Sequence, residues 1–200
     1  MRTTCPRCLR PTSFCVCEGL RPARSATRVV LLQHPREARL AICSAWLTRI
    51  ALENVELHLG VRFEDHPRVR EVAAAPGTAL LFPGPGSTPA AEATPPPTVL
   101  VVIDGTWLQA DRMLRDNPSL AALPRIGLSP SRESGYTGLR REPAAGHLST
   151  IEAVALALGA FERDPARFEP MAEAFRRGVQ LQIDCTRTRR NPRHRPGRTD

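Results

Sequence analysis

Short, strongly apolar runs alternate with stretches of helical periodicity from residue 27 onward, which indicates an α/β fold. The clearest strand spans 98–103, where five consecutive residues are apolar. A second apolar run spans 27–33, and shorter runs at 55–59 and 78–82 predict two further strands. Runs this apolar are typical of parallel strands that are covered on both faces. We therefore expect a mostly parallel sheet with helices on both faces.

Four segments have the apolar spacing of amphipathic helices. Three of them span 36–52, 106–115 and 149–162, and the fourth contains Met171 and Val179. The third begins with the sequence Ser-Thr-Ile-Glu, whose spacing is that of a capping box. The second is closed by an Asn-Pro pair.

The predicted strand ends bring polar and flexible residues to one edge of the sheet. These ends carry Gln-His-Pro at 33–35, Pro-Gly-Pro-Gly at 83–86 and Asp-Gly-Thr-Trp at 104–107. Ligands bind at the carboxyl ends of strands in such sheets. The aperiodic segment 124–148 is also long for a compact domain, and long loops are often functional. The sequence therefore predicts a ligand site at this edge.

The net charge of +8 is concentrated at the two ends of the chain. Residues 1–28 and 185–200 each contain six arginines against a single acid, whereas the middle of the chain is slightly acidic. This pattern favours a polyanionic partner that is bound by the ends. All the cations are arginine, the better bidentate ligand of phosphate, although a GC-rich genome produces the same bias.

Four cysteines lie within thirteen residues near the amino terminus: Cys5, Cys8, Cys15 and Cys17. Two close pairs of thiols can surround one tetrahedral ion, and zinc is the usual occupant in a reducing compartment. Two disulfides or a redox pair are the alternatives. Cys43 and Cys185 lie in helical patterns and are expected to be small buried apolar residues.

These features divide the chain into three parts. We expect a zinc-binding module at 1–26, an α/β domain at 27–184 and a basic tail at 185–200 that is disordered when free. No apolar run approaches the roughly 18 residues of a membrane span, and the first seventeen residues do not look like a secretory signal. The expected location is therefore the cytoplasm, without a membrane partner.

The sequence VLVVIDGTWLQADRMLRDNPSLAALP at 99–124 resembles the signature of the DTW-domain family, the tRNA-uridine aminocarboxypropyltransferases. Further similar pieces occur in the same order along the chain. They are the cysteine cluster, LLQHPREAR at 31–39, LLFPG at 80–84, RREP at 140–143 and LSTIEAVALAL at 148–158. The resemblance covers about residues 5–182.

The resemblance implies a SPOUT-like fold with a knotted cofactor site. It further implies transfer of the 3-amino-3-carboxypropyl group of S-adenosylmethionine to N3 of a uridine in tRNA, in the variable loop for bacterial members. Two alternatives remain open. One is a SPOUT-type RNA methyltransferase, and the other is a non-catalytic RNA-binding protein with a zinc knuckle.

Asp104 and Trp107 are the expected catalytic residues. Asp104 could accept the N3 proton of uridine or orient the base, and its alternative role is to cap the following helix. Trp107 and Ala110 resemble the family positions that form an apolar pocket for the cofactor's methyl group, and an indole face attracts a sulfonium cation. Trp107 could instead be a core aromatic residue.

The remaining site residues also come from the resemblance. Ser44 occupies the place of a family threonine that contacts the amino acid end of the cofactor, although residues 43–46 read Cys-Ser-Ala-Trp rather than Gly-Thr-Ala-Arg. Ser149 and Thr150 would supply backbone groups to the cofactor, and the alternative for Thr150 and Glu152 is that they are residues that begin a helix. The other expected cofactor ligands are Pro83, Gly84 and Leu148.

Five residues are expected to contact RNA. Tyr136 could stack on a base and Arg140 could hold a phosphate, although one residue is inserted in the family pattern at 135–139. An unpartnered loop tyrosine is the alternative for Tyr136. The set is completed by Arg141, Arg189 and Arg190. The sequence leaves open whether the protein is a monomer or a homodimer.

Overall fold

The computed structural model describes residues 3–39, 43–128 and 148–187 of the chain. Within these residues, six parallel strands form one sheet in the order β2-β1-β5-β3-β6-β4. The parallel sheet predicted from the apolar runs is thus confirmed. The strands are β1 (Arg28–Gln33), β2 (Val55–Leu59), β3 (Thr78–Leu81), β4 (Thr88–Pro89), β5 (Val99–Asp104) and β6 (Arg125–Gly127).

Helices cover both faces of the sheet, as predicted. Side chains alternate along β1, so that Val29 and Leu31 join one hydrophobic cluster while Val30 and Leu32 join the other. The first cluster contains residues of α1, α5 and α6, and the second contains residues of α2, α3 and α4. The helices are α1 (Ser44–Ala51), α2 (Pro67–Ala74), α3 (Trp107–Arg115), α4 (Pro118–Ala121), α5 (Thr150–Phe161) and α6 (Pro165–Arg187).

The helix predicted over 36–52 is wrong in its first half. The structure has a short 3-10 helix at Glu37–Arg39, and α1 begins only at Ser44. The cause lies in Cys43, which is the amino-terminal cap of α1 and whose sulfur accepts a hydrogen bond from the backbone N–H of Trp46. Cys43 therefore has a polar role that the expectation of a small apolar residue missed, whereas Cys185 is buried in α6 as expected.

The amino-terminal segment packs on the same core as the sheet. Cys5 and Cys8 belong to the hydrophobic cluster of α1, α5 and α6. The guanidinium of Arg7 donates to the carbonyl of Ile50 in α1 at 3.1 Å, and the indole N–H of Trp46 donates to the carbonyl of Arg7 at 3.1 Å. Arg177 of α6 donates to carbonyls of the segment as well. The segment is thereby attached to the first and the last helix.

Three expectations concern the whole chain: the membrane span, the knotted cofactor site and the division into three parts. No helix in the described residues is long and apolar enough to cross a lipid bilayer. The knotted cofactor site stays a prediction, because residues 129–147, which connect β6 to α5, lie outside the described part of the chain. The division at 1–26, 27–184 and 185–200 also stays a prediction, and α6 extends to Arg187.

Asn117 lies between α3 and α4 and fixes the loop after β2 to α3. Its side chain is fully buried and accepts a hydrogen bond from the backbone N–H of Phe63. The side-chain amide donates to the carbonyls of Val61 at 2.8 Å and Met113 at 2.6 Å. One side chain thus satisfies three buried backbone groups.

We expect the substitution Asn117→Ala to lower the free energy of unfolding by about 3 kcal/mol, because it leaves buried backbone groups without partners. Chemical denaturation measures this change. The control is Asp116→Ala at the neighbouring, half-exposed position, which should change stability by less than about 0.5 kcal/mol. Equal losses in the two variants would contradict the assignment.

Candidate functional site

Three strand ends meet at the carboxyl edge of the sheet. Gln33 and Asp104 are register partners at the ends of β1 and β5, and the backbone N–H of His34 donates to the carbonyl of Asp104 at 2.8 Å. On its other side β5 pairs with β3, which leads directly into the loop of Pro83 and Gly84. The edge predicted from the sequence therefore brings these three loops together.

The carboxylate of Asp104 is the centre of a buried hydrogen-bond network and is only 5% exposed. Its Oδ1 accepts from the hydroxyls of Thr150 and of Ser44, the latter at 3.4 Å. Its Oδ2 accepts from the side-chain amide of Gln33 at 2.8 Å. Ser44 and Thr150 are the first residues of α1 and α5, so both helices begin at this carboxylate. Helix amino termini favour a negative charge.

Burial raises the pKa of Asp104 above its usual range. The hydrogen bonds from Thr150 and Gln33 act in the opposite direction, and the nearby charge of Glu37 raises the pKa further. The side chain is therefore a more basic carboxylate than one exposed to water. A carboxylate that burial makes more basic is a better proton acceptor.

The structure shows which residues cap α3 and α5. The cap of α3 is Thr106 and not Asp104, because Thr106 Oγ1 accepts from the backbone N–H of Gln109 at 3.3 Å. The capping box predicted for α5 is confirmed, since Ser149 Oγ accepts from the backbone N–H of Glu152 at 3.4 Å and the Glu152 carboxylate accepts from the backbone N–H of Ser149 at 3.0 Å. Thr150 does more than begin the helix, because its hydroxyl reaches Asp104.

Trp107 begins α3, three residues after Asp104, and packs against an aromatic ring. Its side chain is half-buried, and its ring centroid lies 5.7 Å from that of Phe82 at an interplanar angle of 59°. One turn further along α3, Ala110 is buried. The exposed Pro83 and Gly84 follow Phe82 directly, and the half-buried Leu148 precedes the cap of α5. The loop after β3 and the start of α3 thus share one aromatic contact.

Two residues at this edge of the sheet, Gln33 and Phe82, were not among the site residues predicted from the sequence. Gln33 bonds Asp104, and its amide also lies 3.0 Å from the sulfur of Cys43. Phe82 was treated only as the end of a strand. The available signal for Gln33 was a buried polar residue that ends an otherwise apolar run. The expected RNA contacts lie outside the described residues: Tyr136, Arg140, Arg141, Arg189 and Arg190.

The four amino-terminal cysteines form a compact sulfur cluster that could hold a metal ion. Their sulfur atoms all lie within 4.8 Å of one another. The Cys5 and Cys17 sulfurs are 4.0 Å apart and those of Cys8 and Cys15 are 3.8 Å apart. All four are free thiols, so the alternative of two disulfides does not describe this structure.

The thiols of this cluster differ in acidity. Hydrogen bonds from the backbone of Cys8 and Arg7 lower the pKa of Cys5 to about 6. Burial raises the pKa of Cys17, and the neighbouring thiols of Cys8 and Cys15 raise it further. A divalent cation would offset the rise in the pKa of Cys17, because it binds thiolates and neutralises their mutual repulsion.

Comparisons with known proteins agree with the resemblance seen in the sequence. The model of the DTW domain family matches residues 2–183. The chain is 31% identical to "tRNA-uridine aminocarboxypropyltransferase 2" of Drosophila melanogaster over 192 residues, which is 92% of this chain and 76% of the relative. It is 33% identical to the protein of the same name in Mus musculus, over 82% of this chain and 58% of the relative.

A plant relative matches over a similar extent. The "tRNA-uridine aminocarboxypropyltransferase A" of Arabidopsis thaliana is 31% identical over 84% of this chain and 76% of its own length. The chain therefore spans three quarters of the fly and plant relatives but less than two thirds of the mouse one. No solved structure matches the chain.

The raised pKa of Asp104 predicts a pH-dependent difference between the natural protein and the variant Asp104→Asn. The folded state binds the carboxyl proton more tightly than the unfolded state does. As the pH rises above the ordinary carboxyl value of 3.8, the natural protein should therefore lose free energy of unfolding relative to the variant, up to the folded pKa. Urea denaturation at intervals from pH 4 to 8 measures the difference.

The variant Asp111→Asn, at an exposed position of α3, is the control for removal of one carboxyl group. A stability difference between the natural protein and Asp104→Asn that stays constant over this pH range would contradict the raised pKa.

Proposed function

Because this chain belongs to the DTW-domain family, we propose that it is a tRNA-uridine aminocarboxypropyltransferase. The reaction moves the 3-amino-3-carboxypropyl group of S-adenosylmethionine to N3 of a tRNA uridine and releases methylthioadenosine and the N3 proton. The observation that carries the proposal is the buried carboxylate of Asp104, which the first residues of α1 and α5 contact at the carboxyl edge of a parallel sheet, three residues before the half-buried Trp107.

The residues at this edge fit S-adenosylmethionine. When bound, this group supplies a sulfonium whose bond to the γ-carbon of the chain breaks in the transfer. The Trp107 indole offers a face to the positive sulfur, and Ala110, at i+3 on the same helix, completes an apolar surface for the methyl group. Hiding the methyl carbon and presenting the γ-carbon selects the group that is transferred. The cofactor-binding set proposed is Ser44, Pro83, Gly84, Trp107, Ala110, Leu148, Ser149 and Thr150.

In the proposed reaction, Asp104 receives the proton of uridine N3. Thr150 and Gln33 fix the carboxylate, whereas the bond from Ser44 is the longest of the three at 3.4 Å. A donor of the substrate can take the place of the Ser44 hydroxyl, as the N3–H of uracil would. The basicity that burial gives to Asp104 favours its acceptance of this proton.

The departure from the family pattern at 43–46 leaves this arrangement intact. The serine hydroxyl lies at Asp104, 3.4 Å from its Oδ1, so the hydroxyl that the family pattern supplies at this position is kept. The indole N–H of Trp46 binds the carbonyl of Arg7 and does not point to Asp104. These contacts favour a working enzyme over a binding protein that has lost its chemistry.

The substrate proposed is tRNA, at a uridine of the variable loop. The name of each relative gives tRNA-uridine as what that protein acts on. The two arginine-rich ends of this chain suit a polyanion, and Tyr136, Arg140, Arg141, Arg189 and Arg190 are the proposed RNA contacts. The reaction and its cofactor suit the cytoplasm.

The metal proposed for the cysteine cluster is zinc, bound by Cys5, Cys8, Cys15 and Cys17. Four thiolates at about 2.3 Å from a tetrahedral zinc ion lie about 3.8 Å apart. The observed separations of 3.8 and 4.0 Å are close to this value. Because Arg7 and Trp46 connect the cluster to α1, the metal supports the helix whose first residue contacts Asp104.

The proposed reaction is tested with two forms of S-adenosylmethionine, one labelled in the carboxyl carbon and one in the methyl carbon. With unmodified tRNA, we expect the carboxyl label to enter RNA and the methyl label to leave in methylthioadenosine. Methyl label in RNA would instead identify a methyltransferase. Tight binding of tRNA without transfer of either label would identify a binding protein.

The variant Asp104→Asn belongs in the same assay. The transfer rate should fall about 100-fold or more, with cofactor affinity little changed, because a positioned proton acceptor has been removed. Asp111→Asn should keep the natural rate. A folded Asp104→Asn protein with full transfer rate would remove Asp104 from proton transfer.

Zinc is tested by metal analysis and hydrogen exchange. We expect one zinc ion per chain, lost in Cys8→Ser and kept in Cys185→Ser, whose cysteine lies outside the cluster. Chelation should increase amide exchange over residues 3–20 and in α1, while β5 stays protected. Protein that takes up no zinc, or exchange that is unchanged by chelation, would contradict the assignment.

A further inference from the structure

Arg125, the first residue of β6, carries a partly buried guanidinium at the rim of the site. Its carbon Cζ lies 5.6 Å from the centroid of Phe82, the ring that packs on Trp107. Its Nη1 lies so close to Gly84 that a Cβ at that position would be 2.8 Å away. The glycine therefore leaves the space that this guanidinium occupies.

This arginine has no carboxylate partner among the described residues, although three other partly buried arginines do. Arg28 and Arg68 both pair with Glu56, and Arg176 pairs with Glu169. Removing a guanidinium from water without a counter-charge is unfavourable. A contact with the face of Phe82 offsets only part of this cost. The position thus suits an anion supplied by a ligand.

Two exposed arginines lie on the opposite side of Asp104. Arg36 and Arg39 stand in the turn after β1, one on each side of the buried Glu37. The turn is fixed to the site, because the backbone N–H of His34 donates to the carbonyl of Asp104. Neither arginine forms an ion pair within the described part of the chain.

The strand order places Asp104 between these two groups. β5, which ends in Asp104, has β1 on one side and β3 followed by β6 on the other. Adjacent strands are about 4.8 Å apart, so β1 and β6 are about 14 Å apart across the sheet. Arg125 begins β6 in register with Leu80, and its guanidinium extends from there to Phe82 and Gly84 at the carboxyl edge. If a strand of RNA presents a base to Asp104, its backbone passes the Arg36 and Arg39 pair on one side and Arg125 on the other.

We propose that Arg36, Arg39 and Arg125 form a phosphate-binding rim that holds the tRNA backbone on both sides of the target uridine. This inference rests on the proposed function, since it takes the base to be delivered at Asp104. Phosphate is the anion favoured for Arg125 because Ser44, the residue proposed for the amino acid end of the cofactor, lies at Asp104 on the far side of β3. A guanidinium binds phosphate with two parallel hydrogen bonds.

The experiment measures tRNA affinity as a function of salt for Arg36→Ala/Arg39→Ala and for Arg125→Ala. Each lost phosphate contact should reduce the slope of log K against log[salt] by about 1. The matched control is Arg70→Ala/Arg115→Ala, which removes two exposed arginines of α2 and α3 that have no ion pair in the described residues. Its slope should stay unchanged.

Two further measurements distinguish a lost phosphate contact from a loss of cofactor binding. Affinity for S-adenosylmethionine, measured by calorimetry, should be the same in all variants, and Arg125→Lys should restore much of the slope. Weaker cofactor binding by Arg125→Ala with unchanged tRNA affinity would overturn the proposal for Arg125. Equal slope changes in the control and the rim variants would overturn it for the whole rim.

The outcome for the rim is independent of the outcome for the reaction. If the natural protein transfers no label but the rim variants still lower the salt slope, the proposed function fails and the rim remains. If label is transferred and the slopes do not change, the rim fails alone.

Discussion

The buried carboxylate of Asp104 is the constraint on which the site depends. A carboxyl group at the end of a central strand must find hydrogen-bond donors, because leaving it unpaired in the interior is costly. The donors come from Gln33 on the neighbouring strand and from the first residues of α1 and α5. The strand end and the two helix starts are consequently held in one place by a single side chain. The chemical proposal for Asp104 uses the same property, since the environment that orders these elements also makes the carboxylate more basic.

Much of the fold could be predicted because its signals are local. The five apolar residues of β5 indicated a central parallel strand, and the Ser149-to-Glu152 spacing indicated the start of α5. Other elements have weak local signals. The short strands β4 and β6 contain two and three residues and are defined by the strand beside them, which a sequence pattern does not reveal. The helix α2 was overlooked, although Pro67 at its first position is a known start signal.

The site was predictable in its position but not in its connections. Asp104 and Trp107 follow an apolar strand, and that placement could be seen in the sequence together with the family resemblance. The bonds of Asp104 to Gln33, Ser44 and Thr150 join residues from three separate segments, and only the tertiary structure brings them together. The same holds for Trp46, whose unusual place in the family pattern is explained by its bond to the amino-terminal segment.

The attachment of the amino-terminal segment to α6 has a consequence for the order in which the chain acquires its structure. The bond from Arg177 to the carbonyl of Val16 joins positions 161 residues apart, so it closes a loop that includes almost the entire sheet. The cysteines leave the ribosome long before this arginine, and long-range closures of this kind are slow. The amino-terminal segment must therefore wait for its docking partner until α6 has been synthesised, and a metal bound before that moment would protect its thiols from side reactions.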